Sequence, residues 1–155
     1  MLILPTIRLA NADDAGAIAA MSRTCIESGL GWSWREPRVL HAISDRTTNV
    51  AVMTQADGVV GFGIMQYRDV TAHLALLAMR PSHRGRGLGS ALIRWLEKPA
   101  LIAGVELLRV EARADNAGAL SFYHQLGFKP VKTVAGYYSG LVDAVQLEKQ
   151  LLPPH

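Results

Sequence analysis

A change in the spacing of apolar residues along the chain predicts a mixed α/β fold. In several short segments, apolar and polar residues alternate with the period of two that is typical of β-strands. The Asp57-Gly58 pair between two of these segments is a strong hairpin signal. The predicted strands cover residues 7–9, 49–55, 59–68, 73–79, 107–113, 128–134 and 144–147. The segment 73–79 is apolar on both faces, which predicts a strand at the centre of the sheet.

Other segments place apolar residues every three to four positions, as amphipathic helices do. Residues 11–14 supply caps for a first helix, and the loop 32–37 precedes a second helix over residues 38–46. A third helix follows the glycine-rich segment near residue 87, and Pro99 is expected to limit it. Asp115 and Asn116 cap a fourth helix that runs through Gln125. Gly61 and Gly63 mark possible β-bulges, and residues 136–138 are placed in a loop between the last two strands.

This order of elements indicates a twisted sheet that is antiparallel at first and then continues through strand–helix–strand crossovers. The chain has 155 residues, half of them apolar, which predicts one domain over residues 1–155. The net charge of +3 suits an anionic ligand and an ordinary surface alike. The sequence lacks the Lys- and Arg-rich stripe that is typical of nucleic-acid binding, so no nucleic-acid partner is expected. The single cysteine argues against a metal–thiolate site, so no metal is expected. No stretch has the length of a signal peptide or a membrane span, so we expect a cytoplasmic protein that does not bind membranes.

The segment Arg84-Gly85-Arg86-Gly87-Leu88-Gly89-Ser90 joins the predicted central strand to the third helix. Glycines allow the main chain to approach a ligand closely, and the N–H groups of a helix start attract anions. We therefore predict a pyrophosphate site. A Walker A loop would require a Lys-Ser or Lys-Thr pair after the last glycine, and a dinucleotide fingerprint would require a glycine or alanine at position 90 near the first strand. A plain structural turn is the remaining alternative.

The spacing Arg84-x-x-Gly87-x-Gly89 resembles the motif of the GNAT superfamily of N-acetyltransferases. The resemblance implies that acetyl-CoA is the cosubstrate, with loop amides on its pyrophosphate and main-chain contacts from the preceding strand. It also implies a sheet of about six to seven strands with about four flanking helices, V-shaped between the fourth and fifth strands. The cosubstrate-binding residues implied are Leu77, Ala78, Met79, Arg84, Gly85, Arg86, Gly87, Leu88, Gly89, Ser90, Asn116 and Tyr123.

A second segment, from Glu111 through Asn116 and Tyr123 to Gly127-Phe128, resembles the other GNAT signature. Its strand is similar to that of the ribosomal-protein-alanine N-acetyltransferases. That resemblance implies that Glu111 is the general base and Tyr123 the general acid. A carboxylate can take the proton of an attacking amine, and a phenol can protonate a leaving thiolate.

Each of the two catalytic candidates has a structural alternative. Glu111 shares a strand face with Arg109 and Arg113, so it could belong to a ladder of charges whose arginines depress its pKa. Tyr123 could be a core tyrosine with a hydrogen-bonded hydroxyl. His73 is a second candidate for the base.

The acceptor is an amine that the sequence specifies poorly. The aromatic residues expected around the acceptor cleft are Trp32, Trp34, Tyr67, Tyr137 and Tyr138, although edge packing explains any one of them equally well. Deprotonating a lysine at neutral pH costs about 4 kcal/mol, against less than about 1 kcal/mol for an α-amine. A protein N-terminus is therefore favoured over a lysine, with a small-molecule amine as the alternative. A non-catalytic acyl-CoA-binding module is the rival class, and either a monomer or a homodimer is compatible with the sequence.

Overall fold

The computed structural model describes residues 4–56 and 58–151, so Asp57 of the predicted hairpin turn lies outside the described residues. The described residues form one seven-stranded sheet in the order β1-β2-β3-β4-β5-β7-β6. The strands are β1 (Thr6–Leu9), β2 (Thr48–Gln55), β3 (Gly58–Arg68), β4 (Thr71–Met79), β5 (Leu107–Arg113), β6 (Lys129–Tyr138) and β7 (Val142–Gln150). Only β4 and β5 are parallel neighbours within this sheet. The predicted mixed α/β fold with a central β4 is confirmed.

Four α-helices cover the faces of the sheet in the described part of the chain: α1 (Ala15–Met21), α2 (Glu36–Ser44), α3 (Leu88–Ile102) and α4 (Ala117–Gln125). A capping box closes the short turn Ala12–Asp14 that precedes α1. The side chain of Asn11 accepts from the main chain of this turn, and the carboxylate of Asp14 accepts from the N–H of Asn11 at 2.8 Å. A π-helical segment, Ser22–Ile26, extends α1. The second helix begins two residues earlier than predicted, because Pro37 suits the first turn of a helix.

The prediction that Pro99 limits the third helix is wrong, because α3 continues to Ile102. A proline removes its own N–H bond, but only one further turn follows Pro99, and the carbonyl of Pro99 still accepts from the N–H of Ala103 at 3.0 Å. Ala100 is fully buried against the sheet, which holds this last turn in place.

Two corrections concern the strands. Residues 136–138 belong to β6 and not to a loop, because Tyr138 pairs with Val142 of β7. The bulges lie at Val60 in β3 and at Ala75 in β4, so Gly61 only adjoins a bulge and Gly63 pairs regularly. Gly63 serves a close approach instead, since a Cβ there would lie 2.7 Å from a side-chain carbon of Leu96.

Two apolar cores lie on opposite faces of the sheet. Alternate residues of β2 enter different cores, as Met53 and Val52 do. One core packs under α3 and α4, and the other packs under α1 and α2. No helix in the described part of the chain is long and apolar enough to span a membrane.

The sheet opens between β4 and β5. These strands pair only from Thr71 with Leu107 to Leu74 with Val110, although both strands continue beyond that point. The bulge at Ala75 falls where the pairing ends. The two strands therefore diverge into the predicted V, and the gap exposes their main-chain groups to a ligand.

Candidate active site

The gap between β4 and β5 opens into a cleft of about 920 Å³, a size typical of small-molecule sites. One end of the cleft holds the end of β4, the glycine loop and the start of α4. The other end is bounded by the segment that connects α1 to α2 and by β6. Ten of the predicted cosubstrate-binding residues line the cleft: Leu77, Ala78, Met79, Arg84, Gly85, Gly87, Gly89, Ser90, Asn116 and Tyr123.

The glycine loop combines left-handed backbone with a helix start. Gly85 has a φ of 75° and Gly87 a φ of 74°, values that L side chains rarely adopt. Gly87 is the N-cap of α3, and its cap position offers no side chain to the N–H groups of the first turn. These N–H groups have no partner within the helix and carry the positive end of its dipole. The loop is therefore suited to a phosphate group, and Arg84 beside it adds charge.

Two residues of the loop are placed differently from the prediction. Arg86 is exposed outside the lining of the cleft, and Leu88 packs against the core beneath α3. Successive residues of an extended loop point in different directions, so only part of the motif can face a ligand through its side chains. The N–H groups of Arg86 and Leu88 remain able to bind an anion, as predicted for the amides of this loop.

Glu111 lies on β5 just beyond the end of the pairing with β4, and its side chain is only 5% exposed. One oxygen contacts Nε2 of His73 and accepts from the hydroxyl of Tyr137 at 3.0 Å. The other oxygen accepts from the side chain of Gln146 at 3.3 Å and lies 3.3 Å from Nε of Arg109. These contacts orient the carboxylate towards the cleft that it lines.

The pKa of Glu111 is lower than usual. Burial raises it, but the hydrogen bond and charge of His73 and the hydrogen bonds of Tyr137 and Gln146 outweigh that effect. Both flanking arginines were predicted to lower this pKa, but only Arg109 lies beside the carboxylate, and the main lowering causes are His73, Tyr137 and Gln146. Arg113 instead pairs with Asp115 at 3.0 Å and donates to the carbonyl of Ser28. His73 lies behind Glu111, outside the lining of the cleft.

Tyr123 lies on α4 with its ring packed edge-on against Phe122 and Phe128. The side chain is buried, yet it lines the cleft, and its hydroxyl has no hydrogen-bond partner among the described residues. Burial, followed by the nearby Tyr138 and Glu111, raises the pKa of Tyr123 far above its ordinary value of about 10. The phenol is therefore protonated at every physiological pH, which fits a proton donor and excludes a resting base.

Asn116 caps α4, since its side chain accepts from the N–H of Ala119 at 3.0 Å. The cap fixes the start of the helix that carries Tyr123. Asn116 also lines the cleft, so capping and a ligand contact are compatible at this position.

The five aromatic residues predicted around the acceptor cleft separate into two groups. Trp34, Tyr137 and Tyr138 line the cleft. The two tyrosine rings pack edge-on, with their ring centroids 4.9 Å apart. Trp32 and Tyr67 lie outside its lining, which corrects their predicted position. The indole N–H of Trp32 donates to the carbonyl of Ala19, and Tyr67 packs against the core below α3.

Glu27 is a buried carboxylate of the cleft that the sequence analysis missed. Its two oxygens accept four hydrogen bonds, which come from the hydroxyl of Ser22, the N–H and the hydroxyl of Ser33, and the N–H of Trp34. The carboxylate thereby ties the segment between α1 and α2 to the end of the π-helical turn. Its partners lie five to seven residues along the chain, and no motif signals such a pattern.

Replacing Glu27 with Gln is expected to destabilise the protein by about 1–3 kcal/mol at neutral pH. The amide NH2 of Gln replaces one of the two oxygens, so the two groups that donate to that oxygen lose their acceptor. Burial raises the pKa of Glu27, but the hydrogen bonds from Ser33, Ser22 and Trp34 lower it overall. A depressed pKa stabilises the fold above the unfolded value near 4.3, and this contribution is lost as the pH falls through the folded value.

Urea unfolding of the wild type and the Glu27→Gln variant measures both effects. The two stabilities should differ at pH 7 and converge below about pH 4. Glu106→Gln, at an exposed position, is the control and should match the wild type at both pH values. A constant gap across this pH range would contradict the structural role of the Glu27 carboxylate.

The fold and the cleft define an acyltransferase of a known family. The chain belongs to the acetyltransferase (GNAT) family, whose model matches residues 19–128. It is similar to the [ribosomal protein bS18]-alanine N-acetyltransferase of Escherichia coli, with 32% identity over 115 residues, 72% of this chain and 77% of that protein. It is 37% identical to N-alpha-acetyltransferase MAK3 of Arabidopsis thaliana over 81 residues, 52% of this chain but only 42% of that protein. The protein is thus an N-acetyltransferase.

Solved structures show the same fold. The crystal structure of the ribosomal-protein-S18-alanine N-acetyltransferase from Escherichia coli superposes with a TM-score of 0.83 and 26% identity, over 98% of this chain and 97% of that one. The PaiA N-acetyltransferase of Thermoplasma acidophilum, crystallised with coenzyme A, has a TM-score of 0.83 at 18% identity, over 96% of this chain and 99% of that one. The sequence-based assignment to the GNAT family is confirmed.

Proposed function

We propose that this enzyme transfers the acetyl group of acetyl-CoA to the α-amine of a protein N-terminus, by direct attack in a ternary complex. The observation that carries the proposal is the meeting of three groups in one cleft. The glycine loop, Glu111 and Tyr123 come from separate elements, and all of them line the gap between β4 and β5. The fold of a relative crystallised with coenzyme A supports acetyl-CoA as the donor.

The reaction requires a neutral amine. The amine nitrogen forms a bond to the carbonyl carbon of the thioester, and its proton leaves towards Glu111, directly or through a water molecule. The depressed pKa of Glu111 makes it a weak base that stays ionised, so the carboxylate attracts the ammonium and orients a water more readily than it stores a proton. Since the carboxylate already accepts several hydrogen bonds, we favour transfer through water.

The carbon–sulfur bond then breaks, and the thiolate of coenzyme A needs a proton. Tyr123 lines the same cleft with a protonated hydroxyl that has no other acceptor among the described residues. Its raised pKa makes it a reluctant acid, and the thiolate must therefore lie very close for the transfer to be efficient. The chain needs no covalent acyl-enzyme intermediate for this sequence of steps.

The weak base favours an acceptor of low pKa. An α-amine loses its proton near pH 8, more than 2 pKa units below a lysine. The names of the similar Escherichia coli and Arabidopsis thaliana proteins also refer to alanine and α-amino acetylation. We therefore rank an N-terminus first and a small-molecule amine second. A single domain over residues 1–155, a cytoplasmic location and the oligomeric state stay predictions.

A panel of amines tests the proposed function. The enzyme is mixed with acetyl-CoA and, in turn, short peptides with a free α-amine, the same peptides with a blocked N-terminus and a free lysine, and free amino acids, while the release of thiol is recorded. The proposal expects release with the free α-amine peptides only. Release with amino acids alone would favour the small-molecule reading, and binding of acetyl-CoA without release from any amine would favour a non-catalytic module.

Replacing Tyr123 with Phe should lower turnover by about 100-fold, the loss typical of one general acid, and should leave acetyl-CoA affinity near the wild-type value. Steady-state kinetics and calorimetry separate the two effects. Tyr67→Phe is the matched control, because Tyr67 lies outside the cleft and its hydroxyl accepts from Asn49. Turnover of Tyr123→Phe equal to that of the control would reject the proton-donor role.

A further inference from the structure

The acceptor end of the cleft contains carboxylates that are already engaged within the protein. Glu27 accepts four hydrogen bonds, and Glu111 contacts His73, Tyr137, Gln146 and Arg109. Each carboxylate therefore has part of its charge compensated within the protein before a substrate arrives, although Glu111 still faces the cleft.

Arg38 is different, because its charge has no such compensation. It lies in the first turns of α2, is exposed, and lines the cleft. Its guanidinium lies 3.8 Å from the ring centroid of Trp34, another residue of the cleft lining. In the described part of the chain, no carboxylate lies within salt-bridge distance of it. The stacked ring holds the planar group in one orientation and leaves its N–H edge free.

Arg38 also acts electrostatically at the reaction end of the cleft. Burial and the charge of Glu111 raise the pKa of Tyr137 to about 12, while the charges of Arg109 and Arg38 act in the opposite direction. Tyr137 donates directly to Glu111, so Arg38 lies within electrostatic range of the group next to the candidate base. Arg38 therefore places an uncompensated positive charge in the same part of the cleft as the candidate base.

We propose that Arg38, stacked on Trp34, forms an anion subsite that selects acceptors carrying a carboxylate close to the amine. The inference rests on the proposed acetyl transfer and names the class of its acceptor. An ammonium near Arg38 is repelled, and a carboxylate on the same acceptor reverses that effect through a charge-assisted, bidentate hydrogen bond. The carboxylate could belong to an acidic side chain that follows an N-terminal residue, or to a free amino acid.

An exposed arginine on a tryptophan is also an ordinary surface feature, and the chain offers a control for that alternative. Arg35 stacks on Trp32 with its guanidinium 4.7 Å from the ring centroid, on the same connecting segment. Neither Arg35 nor Trp32 lines the cleft. A role that depends only on stacking or on total charge would appear equally in both arginines, whereas a subsite would appear only at Arg38.

The test measures kcat/KM for three peptides that share an N-terminal alanine and differ in having Glu, Gln or Lys at the next two positions. For the wild type, we expect the Glu peptide to exceed the Lys peptide by about tenfold or more at low salt, with a smaller ratio at high salt. Arg38→Gln should bring the ratio close to one, and Arg38→Glu should invert it. Arg35→Gln should keep the wild-type ratio.

Additional measurements distinguish a peptide carboxylate from that of a small molecule, and show whether each variant is folded. Alanine and its α-amide, offered as free acceptors, show whether a small molecule supplies the carboxylate, because only alanine carries one. Thermal unfolding is measured for each variant, and Arg38→Lys, which keeps the charge and loses the bidentate fork, should retain part of the preference.

A wild-type ratio near one, or an equal loss in the Arg35 and Arg38 variants, overturns the subsite while leaving N-terminal acetylation intact. A failure to acetylate any peptide overturns the proposed function, and a failure with both peptides and amino acids overturns the subsite with it.

Discussion

Replacement of Gly87 with Val is expected to weaken acetyl-CoA binding by about 100-fold or more, as the loss of roughly three hydrogen bonds would. Gly87 has a φ of 74° at the N-cap of α3, and its missing side chain leaves open space above the first N–H groups of the helix. A branched side chain would fill that space and would also strain the backbone by roughly 1–3 kcal/mol. Calorimetric titration with acetyl-CoA measures the loss.

Gly104 provides a matched control for this variant. It has a φ of 88° and open space at its Cβ position, but it follows the other end of α3, outside the lining of the cleft. Gly104→Val should lose a similar amount of stability and bind acetyl-CoA like the wild type. Equal affinities of the two folded variants would show that the Gly87 loop does not hold the cosubstrate.

Replacement of Glu111 with Gln should lower turnover at neutral pH by roughly 1,000-fold, within the range for a lost general base. The variant keeps the shape of the side chain and removes the charge that attracts the ammonium. Part of the rate should return at high pH, where the α-amine is already neutral. The pH dependence of kcat with an N-terminal peptide measures both effects.

Glu111 also contributes to stability, and the control must account for this. Its depressed pKa stabilises the fold above the unfolded value near 4.3 and ceases to do so as the pH falls through the folded value. Urea unfolding should therefore show a less stable Glu111→Gln variant at pH 7 and a smaller difference near pH 4. A lower stability combined with an unchanged pH–rate profile would assign Glu111 to architecture alone and would end the base hypothesis.

The parts of the site that lie close together in sequence could be predicted from it. The glycine loop and the start of α3 form one continuous segment, and Glu111 reaches Tyr123 through a single strand–helix connection. In such segments, the backbone requirements of a glycine or a cap act directly on neighbouring residues. The number and order of the strands were equally predictable, because alternation of apolar residues records which faces are buried, but the end of β6 and the positions of the bulges were not.

The parts that depend on distant contacts could not be predicted. The contact between His73 and Glu111 joins β4 to β5 across 38 positions, and it replaces Arg113 as a cause of the lowered pKa of Glu111. Trp32 and Trp34 are two residues apart, yet only Trp34 turns towards the cleft. The end of α3 also depends on tertiary contacts, because burial of the turn that follows Pro99 outweighs the local tendency of proline to end a helix.

Tandem mass spectrometry of the product from a single peptide shows which amine this enzyme acetylates. The peptide carries a free α-amine on an alanine, acidic residues after it and a free lysine near its other end, and it is incubated with the enzyme and acetyl-CoA at neutral pH. We expect one added acetyl group, located on the α-amine, and no product with the Glu111→Gln variant over the same time. An acetyl group on the lysine alone, or equal product from both proteins, would contradict it.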